Sequence, residues 1–318
     1  MATNIAIIGA GVSGLTCGVV LAESGNRVTI VAAERGRATT SAAAAAIWFP
    51  YDTEAGENAI GWALTTYDEL RGLTTDSDTG VSMIELRCFT RAGAIEIPSW
   101  AGRLGVRRLN SEIPRPFSSG FALEVPLTDT SRYLDYLERR FVLAGGYVTV
   151  IEPLSALDEI SGDFDLIVNC AGFGARALVP DAELEPHRGQ IAIVPRLQLP
   201  YATVCDGPPL MYVIPRASDC VFGGTNEITD DRAPDSAATA RIVAECSHVL
   251  NIDAPRVIAE RVGIRPFRRG GVCLRDERIS DGRRVIHNYG HGGAGFTLSW
   301  ACARRVAAFA AAESTTRL

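Results

Sequence analysis

One stretch limits this chain more than any other: Ile5-Ala-Ile-Ile-Gly9-Ala-Gly11-Val-Ser-Gly14-Leu reads as an apolar strand that turns sharply into a helix. In a Gly-x-Gly-x-x-Gly turn the first glycine permits the tight bend, the second lets the backbone approach a pyrophosphate, and the third lets the helix pack on the strand. The N–H groups at the helix start have no intrahelical acceptor and are available to an anion. Three glycines alone also fit an ordinary loop. The context decides: a helix-compatible segment from Ser13 to Ser24 is followed by a second strand, Arg27 to Val31. Glu34 then falls about 20 residues past the last glycine, where a ribose-binding acid belongs. The turn is a dinucleotide cradle with Gly9, Gly11, Val12, Ser13, Gly14 and Glu34 as its parts.

Composition excludes several other classes. A chain of 318 residues with 47% hydrophobic content has material for one large or two moderate domains with a sizeable core. The net charge of −6 comes without a basic run or an aromatic-basic patch, so nucleic acid is not an expected partner. Apolar runs such as Ala42 to Ala46 are far shorter than the ~18 residues a membrane span needs. With no signal-like segment ahead of the first strand, a soluble cytoplasmic protein is expected. The eight cysteines include no C-x-x-C pair and the four histidines show no ligand spacing, so no metal site is expected. Every basic side chain is arginine, which excludes Schiff-base chemistry on lysine.

Along the chain, Thr39-Thr40-Ser41 and the small residues Ala42 to Ala46 lead into Ile47-Trp48-Phe49-Pro50-Tyr51. Hydroxyls followed by small side chains suit a segment lying against a flat ligand; a surface loop entering a short alanine helix is the alternative. Asn58 to Leu70 has helical spacing, and Met83 to Phe89 with Ala94 to Ile97 reads as a hairpin. Pro98 to Pro126 lacks a period and is expected to be irregular. Asp129 or Thr130 caps a helix ended by Gly145-Gly146, after which come strands Tyr147 to Ile151 and Asp165 to Asn169 and a second glycine-bearing turn at Gly172. From Arg188 the strands shorten: Gln190 to Val194, Leu210 to Pro215, Cys220 to Gly224 and Val257 to Ile264, interrupted by a helix from Ala237 to Leu250. Strands at Val272 to Leu274 and Val285 to Asn288 then precede the turn Gly290-His291-Gly292-Gly293-Ala294-Gly295 and a last helix, Phe296 to about Ala312. By spacing alone Arg265 is a solvated charge beside a proline and Tyr212 a core tyrosine. His291 could serve acid–base work or the backbone turn, and its neighbours favour the turn.

Several of these stretches, in order and spanning nearly the whole chain, resemble the D-amino acid oxidase family of FAD-dependent flavoproteins. They are Gly9-x-Gly11-x-x-Gly14; Ile47 to Tyr51; Val168-Asn169-Cys170-Ala171-Gly172; Arg188-Gly189-Gln190; Tyr212-Val213-Ile214-Pro215; Gly263-Ile264-Arg265-Pro266; and His287-Asn288-Tyr289-Gly290-His291-Gly292-Gly293-x-Gly295-x-Thr297. The resemblance implies an α/β fold: a Rossmann-like FAD-binding domain with a parallel central sheet (1–75, 127–186 and 265–318), interleaved with a mainly antiparallel α+β substrate domain (76–126 and 187–264). It implies FAD as cofactor. Glu34 would hold the adenosine ribose with Arg35 flanking it, Thr39, Thr40 and Ser41 would meet the diphosphate and ribityl region, the backbone of Ile151 would read adenine, and Gly172 would also meet the cofactor. Ala46 and Ile47 would lie by the flavin ring, with Gly292, Gly293, Gly295, Phe296 and Thr297 at its pyrimidine end.

For the substrate the resemblance implies that Arg265 clamps an amino acid carboxylate, that Tyr212 adds a hydrogen bond, and that the Gly293 carbonyl accepts from the amine, with Phe49 and Ile214 as walls. A two-pronged carboxylate pair suits the planar guanidinium. The implied reaction moves the Cα hydrogen as hydride to flavin N5, after which the imino acid hydrolyses to a 2-keto acid and ammonia and dioxygen becomes hydrogen peroxide. Partners are then a small amino acid or amine and dioxygen. Three departures from the family leave the pocket open: Phe49 stands where many eukaryotic members have a polar residue, Ala46 where glycine is common, and Val204 to Pro209 replaces a longer lid-bearing loop. A more open entrance would also admit glycine or an N-substituted glycine. The lack of a second aimed arginine argues against D-aspartate. A flavin-binding protein without turnover and an NAD dehydrogenase are rival classes, the latter disfavoured by the second glycine turn at Gly290 to Thr297.

Overall fold

The structure, a computed structural model, describes residues 2–52, 57–279 and 282–314. In chain order the elements begin with β1 (Asn4–Ile8), α1 (Val12–Glu23) and β2 (Arg27–Ala32), followed by α2 (Glu57–Leu73), β3 (Val81–Thr90), β4 (Arg107–Leu109) and β5 (Ser119–Thr128). Next come α3 (Thr130–Leu143), β6 (Tyr147–Val150), β7 (Leu166–Asn169) and α4 (Ala175–Leu178). The third quarter holds β8 (Leu184–Pro195), β9 (Tyr201–Cys205), β10 (Met211–Pro215), β11 (Asp219–Gly223), β12 (Glu227–Ile228) and α5 (Ser236–Leu250). The chain finishes with β13 (Ala259–Arg268), β14 (Cys273–Arg278), β15 (Arg284–Tyr289) and α6 (Gly295–Ser314).

The strands form two sheets. A six-stranded sheet has the order β14-β15-β7-β1-β2-β6, parallel except for the β14–β15 hairpin. A nine-stranded sheet runs β12-β8-β11-β10-β9-β3-β5-β4 with β13 on the other side of β8, antiparallel apart from the β3–β9 pair. The α/β class with one parallel and one mainly antiparallel sheet is thus as expected. Three strands, β5, β8 and β13, run through the positions 126/127, 186/187 and 264/265 at which the chain was divided, so single strands carry residues of both segments.

Strands β7 and β15 are wholly buried and β1 nearly so, whereas β6 at the sheet edge is half-exposed. Helix α1 is likewise buried around most of its circumference, lying among β2, α3 and α6. Its closeness to β1 comes from glycine: a Cβ on Gly14 would lie 1.9 Å from the Gly9 carbonyl oxygen, and one on Gly9 would lie 2.5 Å from the Cys170 carbonyl oxygen, with Gly9 already at φ +105°.

Four local expectations are corrected. Ala94 to Ile97 is not a strand; β3 pairs instead with β5 through ten register pairs, Val81↔Thr128 to Thr90↔Ser119. The Ile95 N–H is taken by the Ser119 hydroxyl at 2.7 Å. Pro98 to Pro126 is not irregular throughout, since it contains β4 and most of β5. Strand β5 is buried on both faces, so it shows no alternation to read. Strand β9 occupies the start of the segment read as a loop at Val204. Finally, β13 continues past Ile264 to Arg268, which places Arg265 inside a paired strand and not beyond its end.

The Gly14–Gly9 contact is backbone against backbone and has no side chain to move aside. Gly14→Ala should therefore destabilise the protein by at least about 3 kcal/mol through overpacking, measured by denaturant unfolding. Gly61→Ala, inside helix α2 where a Cβ would meet nothing within 4 Å, is the reference for replacing a helical glycine that has room for a methyl.

Candidate active site

One cavity of about 480 Å³, lined from both sheets, gathers nearly all the residues singled out above. At one end lie Gly9, Gly11, Val12 and Ser13 with Glu34, Ile151 and Gly172. Thr39, Thr40 and Ser41 line its middle with Ala46 and Ile47; Gly292, Gly293, Gly295, Phe296 and Thr297 follow. The far end holds Phe49, Tyr212, Ile214 and Arg265. Two of the expected residues lie elsewhere. Gly14 sits beneath the cradle as a packing contact, and Arg35 turns away, its guanidinium paired to Glu138 on α3 with Nε at 2.9 Å from the carboxylate.

The nucleotide end is built by backbone proximity. Helix α1 has no side-chain cap of its own; the Val12 N–H is accepted by the Ser41 hydroxyl at 2.9 Å, so the turn at 40–43 closes over the helix start. A Cβ on Gly11 would meet that hydroxyl at 3.0 Å. Ser13 receives Asn288 Nδ2 at 3.0 Å, which fastens α1 to β15. At the cavity edge Glu34 accepts from Arg232 at 2.7 Å across the gap between the sheets.

The segment 46–52 bridges the two ends. The Ala46 carbonyl accepts from the Thr128 N–H at 3.0 Å and from its hydroxyl at 2.9 Å, Trp48 is buried with its indole N–H on the Ala63 carbonyl at 2.9 Å, and Thr297 clasps Phe49 by both its N–H and its carbonyl. Thr297 thus serves this segment with its hydroxyl. Ala46 adopts φ +55° and Asp52 φ +48°, conformations that cost an L-residue free energy and persist where the surroundings hold them.

At the far end the guanidinium of Arg265 faces neutral oxygens. Its Nη1 donates to the Thr225 carbonyl at 3.1 Å and to Asn226 Oδ1 at 3.3 Å, and among the described residues no carboxylate lies within ion-pair distance. The Tyr51 ring centroid is 5.6 Å from its Cζ, and the guanidinium is near enough to Tyr212 to pull that phenol's pKa down. Burial pushes both phenols above the ordinary tyrosine range against the opposing pull of Arg265, so both stay protonated. A half-buried cation with no carboxylate at ion-pair distance, beside two protonated tyrosines, suits a carboxylate ligand.

Three glycines make room for this constellation. A Cβ on Gly189 would fall 2.3 Å from the Arg265 guanidinium, and on Gly223 or Gly224 it would strike the Tyr212 side chain at 2.0 Å and 2.6 Å. The flanking residues explain the rest of the Arg188-Gly189-Gln190 motif. Buried Arg188 donates to the Asp231 and Ala233 carbonyls, and Gln190 holds the Asp235 backbone at the start of α5. A glycine inside an otherwise buried strand was the available signal for Gly189. Gly223 and Gly224 required the β10–β11 register, which sets Tyr212 opposite Gly223.

His291 lines the cavity yet is buried, with Nε2 at 3.1 Å from Asn288 Oδ1 and its pKa pushed down to about 4 by desolvation. It is neutral at pH 7 and holds the glycine turn, as its neighbours indicated.

A family profile described as FAD dependent oxidoreductase matches residues 4–309. The D-amino-acid oxidase of Rubrobacter xylanophilus is 38% identical over 312 residues, covering 96% of this chain and 95% of that protein. The D-amino-acid oxidase of Streptomyces coelicolor is 37% identical over 314 residues, covering 96% of each. Among solved structures, glycine oxidase from Bacillus cereus superposes with a TM-score of 0.79 at 16% identity, covering 96% of this chain and 94% of that one, a likeness of fold. The chain belongs to the D-amino acid oxidase family of FAD-dependent oxidoreductases. FAD is its cofactor, and the residues fit it: the cavity extends from a glycine cradle no Cβ could enter, past a row of hydroxyls, to a second helix start at Gly295.

The depressed pKa of His291 makes stability pH-dependent. Between pH 6.5 and 4 the unfolded chain binds this proton and the folded one does not, so stability falls as pH drops through that window. The fall attributable to His291 between pH 7 and 4.5 should be about 2–3 kcal/mol. His287, whose pKa burial also depresses, acts in the same direction. Denaturant unfolding at both pH values should show a smaller acid loss in His291→Gln than in wild type; an equal loss would count against the assignment.

Proposed function

We propose that this chain oxidises a D-amino acid with an uncharged, mainly apolar side chain to the 2-oxo acid and ammonia, with dioxygen as final acceptor and hydrogen peroxide as product. The observation that carries this reading is the uncompensated guanidinium of Arg265 at the end of the cavity opposite the nucleotide cradle. Arg265 takes the substrate carboxylate, with Tyr212 and Tyr51 as neutral hydroxyl donors beside it. The Gly293 carbonyl accepts from the amine. Held at both ends, the substrate presents one face of Cα, and the fixed order of carboxylate, amine and side chain selects one enantiomer.

Bound FAD supplies the two-electron acceptor that dioxygen restores. The remaining work of the protein is orientation and exclusion of water. The lining carboxylates, Glu34 and Glu152, belong to the nucleotide end and His291 is neutral and engaged, so none of these stands ready to take a proton from Cα. Phe49, Val204, Leu210 and Ile214 wall the far end with apolar surface. The second lining arginine, Arg232, pairs with Glu34, which disfavours an acidic side chain in the substrate.

We take the six-stranded sheet with its helices as the cofactor unit and the nine-stranded sheet as the substrate unit. Among the described residues no helix is long and apolar enough to cross a membrane. A cytoplasmic location is supported by eight cysteines that are all free and buried. The connection between β9 and β10, residues 206–210, is short, which supports glycine or N-alkyl glycines as the alternative substrates.

Peroxide release measured across D- and L-amino acids, glycine and N-methylglycine tests the reading: apolar D-amino acids should give turnover and their L-forms none. Arg265→Ala should raise KM by about 100-fold through loss of the charge-assisted pair, with FAD retained. Gly189→Ala places a methyl where the end of a flexible side chain sits. It should fold, displace the guanidinium and raise KM by roughly tenfold.

A further inference from the structure

We infer that Asp52 is a positioning residue that ties the two substrate-holding groups, Arg265 and Gly293, into one frame and keeps the Arg265 charge free for substrate. The inference rests on the assignment of Arg265 to the substrate carboxylate.

Asp52 reaches both ends of the substrate site. Its backbone carbonyl accepts from the Gly293 N–H at 3.1 Å, and the approach is close enough that a Cβ on Gly292, itself at φ +54°, would lie 1.8 Å from that oxygen. Its carboxylate accepts from Asn226 Nδ2 at 3.2 Å, and Asn226 Oδ1 in turn accepts from Arg265 Nη1 at 3.3 Å. On the other side His187 Nδ1 lies 2.9 and 3.0 Å from the two carboxylate oxygens. His187 stands directly opposite Arg265 in the β8–β13 pairing, and its ring stacks on Phe267 with centroids 4.2 Å apart and planes 6° from parallel.

The direction of these bonds follows from the donor inventory. An ionised carboxylate only accepts, so Asn226 turns its NH2 to Asp52 and has only its oxygen left for the guanidinium. Asp52 therefore sets the polarity of the amide that Arg265 leans on. It does so without pairing with Arg265 itself, because His187 and Asn226 occupy its oxygens. The nearby negative charge is held away from the guanidinium, which keeps its own charge for a ligand. The αL backbone at Asp52 is tolerated by Asp more readily than by most residues and suits glycine without strain.

That conformation supplies the test. Asp52→Gly removes the carboxylate while keeping the backbone bond to Gly293. In the FAD-loaded enzyme it should raise KM for the best D-amino acid about tenfold with kcat altered less than about threefold, and raise the Kd of butyrate, read from the flavin absorbance band, in parallel. Asp52→Asn, which keeps an acceptor and suits αL, should recover most of the loss. Asn226→Ala, at an exposed position, should shift KM in the same direction, and the double variant Asp52→Gly/Asn226→Ala should be no worse than the more impaired single. KM and butyrate Kd within twofold of wild type in Asp52→Gly, or full additivity in the double variant, would overturn the inference while leaving the function in place, provided Arg265→Ala raises both quantities. Should Arg265→Ala also leave both within twofold, it is the assignment of Arg265 that fails.

Discussion

The backbone of α1 has to touch the backbone of the turn that precedes it. With Gly14 so close to the Gly9 carbonyl, and Gly9 against the Cys170 carbonyl, the first helix, the first strand and the end of β7 converge on one point without an intervening side chain. Everything at the nucleotide end follows from that convergence. The helix start lies flush with the strand ends, its Val12 N–H can be met from outside by Ser41, and Asn288 of β15 can reach Ser13. Side chains at these positions would push α1 off the sheet, and a cavity between the sheets would lose its floor.

The substrate end depends on a different constraint, the long β8–β13 ladder. Ten register pairs from Ala259↔Ile193 to Arg268↔Leu184 fix which residues share a face. Arg265 and His187 fall opposite one another, and Gly189 lies where the guanidinium must pass. Tyr212 reaches the same place from β10, given room by Gly223 and Gly224. Four β-strands, β8, β10, β11 and β13, thereby hold the site, which is more exact than loops would allow.

The cofactor half was largely legible because its chemistry is local. A strand, a glycine turn, a helix and an acid at set spacing fall within the first 34 residues, and each glycine has a reason that any such turn shares. The final turn, Gly290 to Thr297, could be read in the same way. What escaped was non-local. Strand β5 hid because it is buried on both faces and so has no period. The hairpin reading gave β3 a short apolar stretch, Ala94–Ile97, as partner, when its true partner, β5, begins more than twenty residues after that stretch. The resemblance put Arg35 beside Glu34 at the ribose, whereas its guanidinium pairs with Glu138 on α3. Asp52 carried no signal at all, since its meaning lies in residues 187, 226 and 293.

Backbone strain falls where the two halves meet. The described non-glycine residues at positive φ are Ala46, Asp52 and Asn251; the last ends α5, a common place for it, while the first two bracket the segment that runs along the cavity toward Arg265. Each is held on more than one side, Ala46 by Thr128 and Asp52 by Gly293, Asn226 and His187. An unfavourable conformation survives only when its neighbours over-determine it. Here the neighbours come from both sheets: Thr128 ends a strand of the nine-stranded sheet, and Gly293 follows β15 of the six-stranded one. The segment 46–52 is thus a crossing piece tied to both sheets. A segment that crosses between two sheets keeps its course only when it is held along its length, and side-chain bonds recur here at Trp48, Phe49 and Asp52.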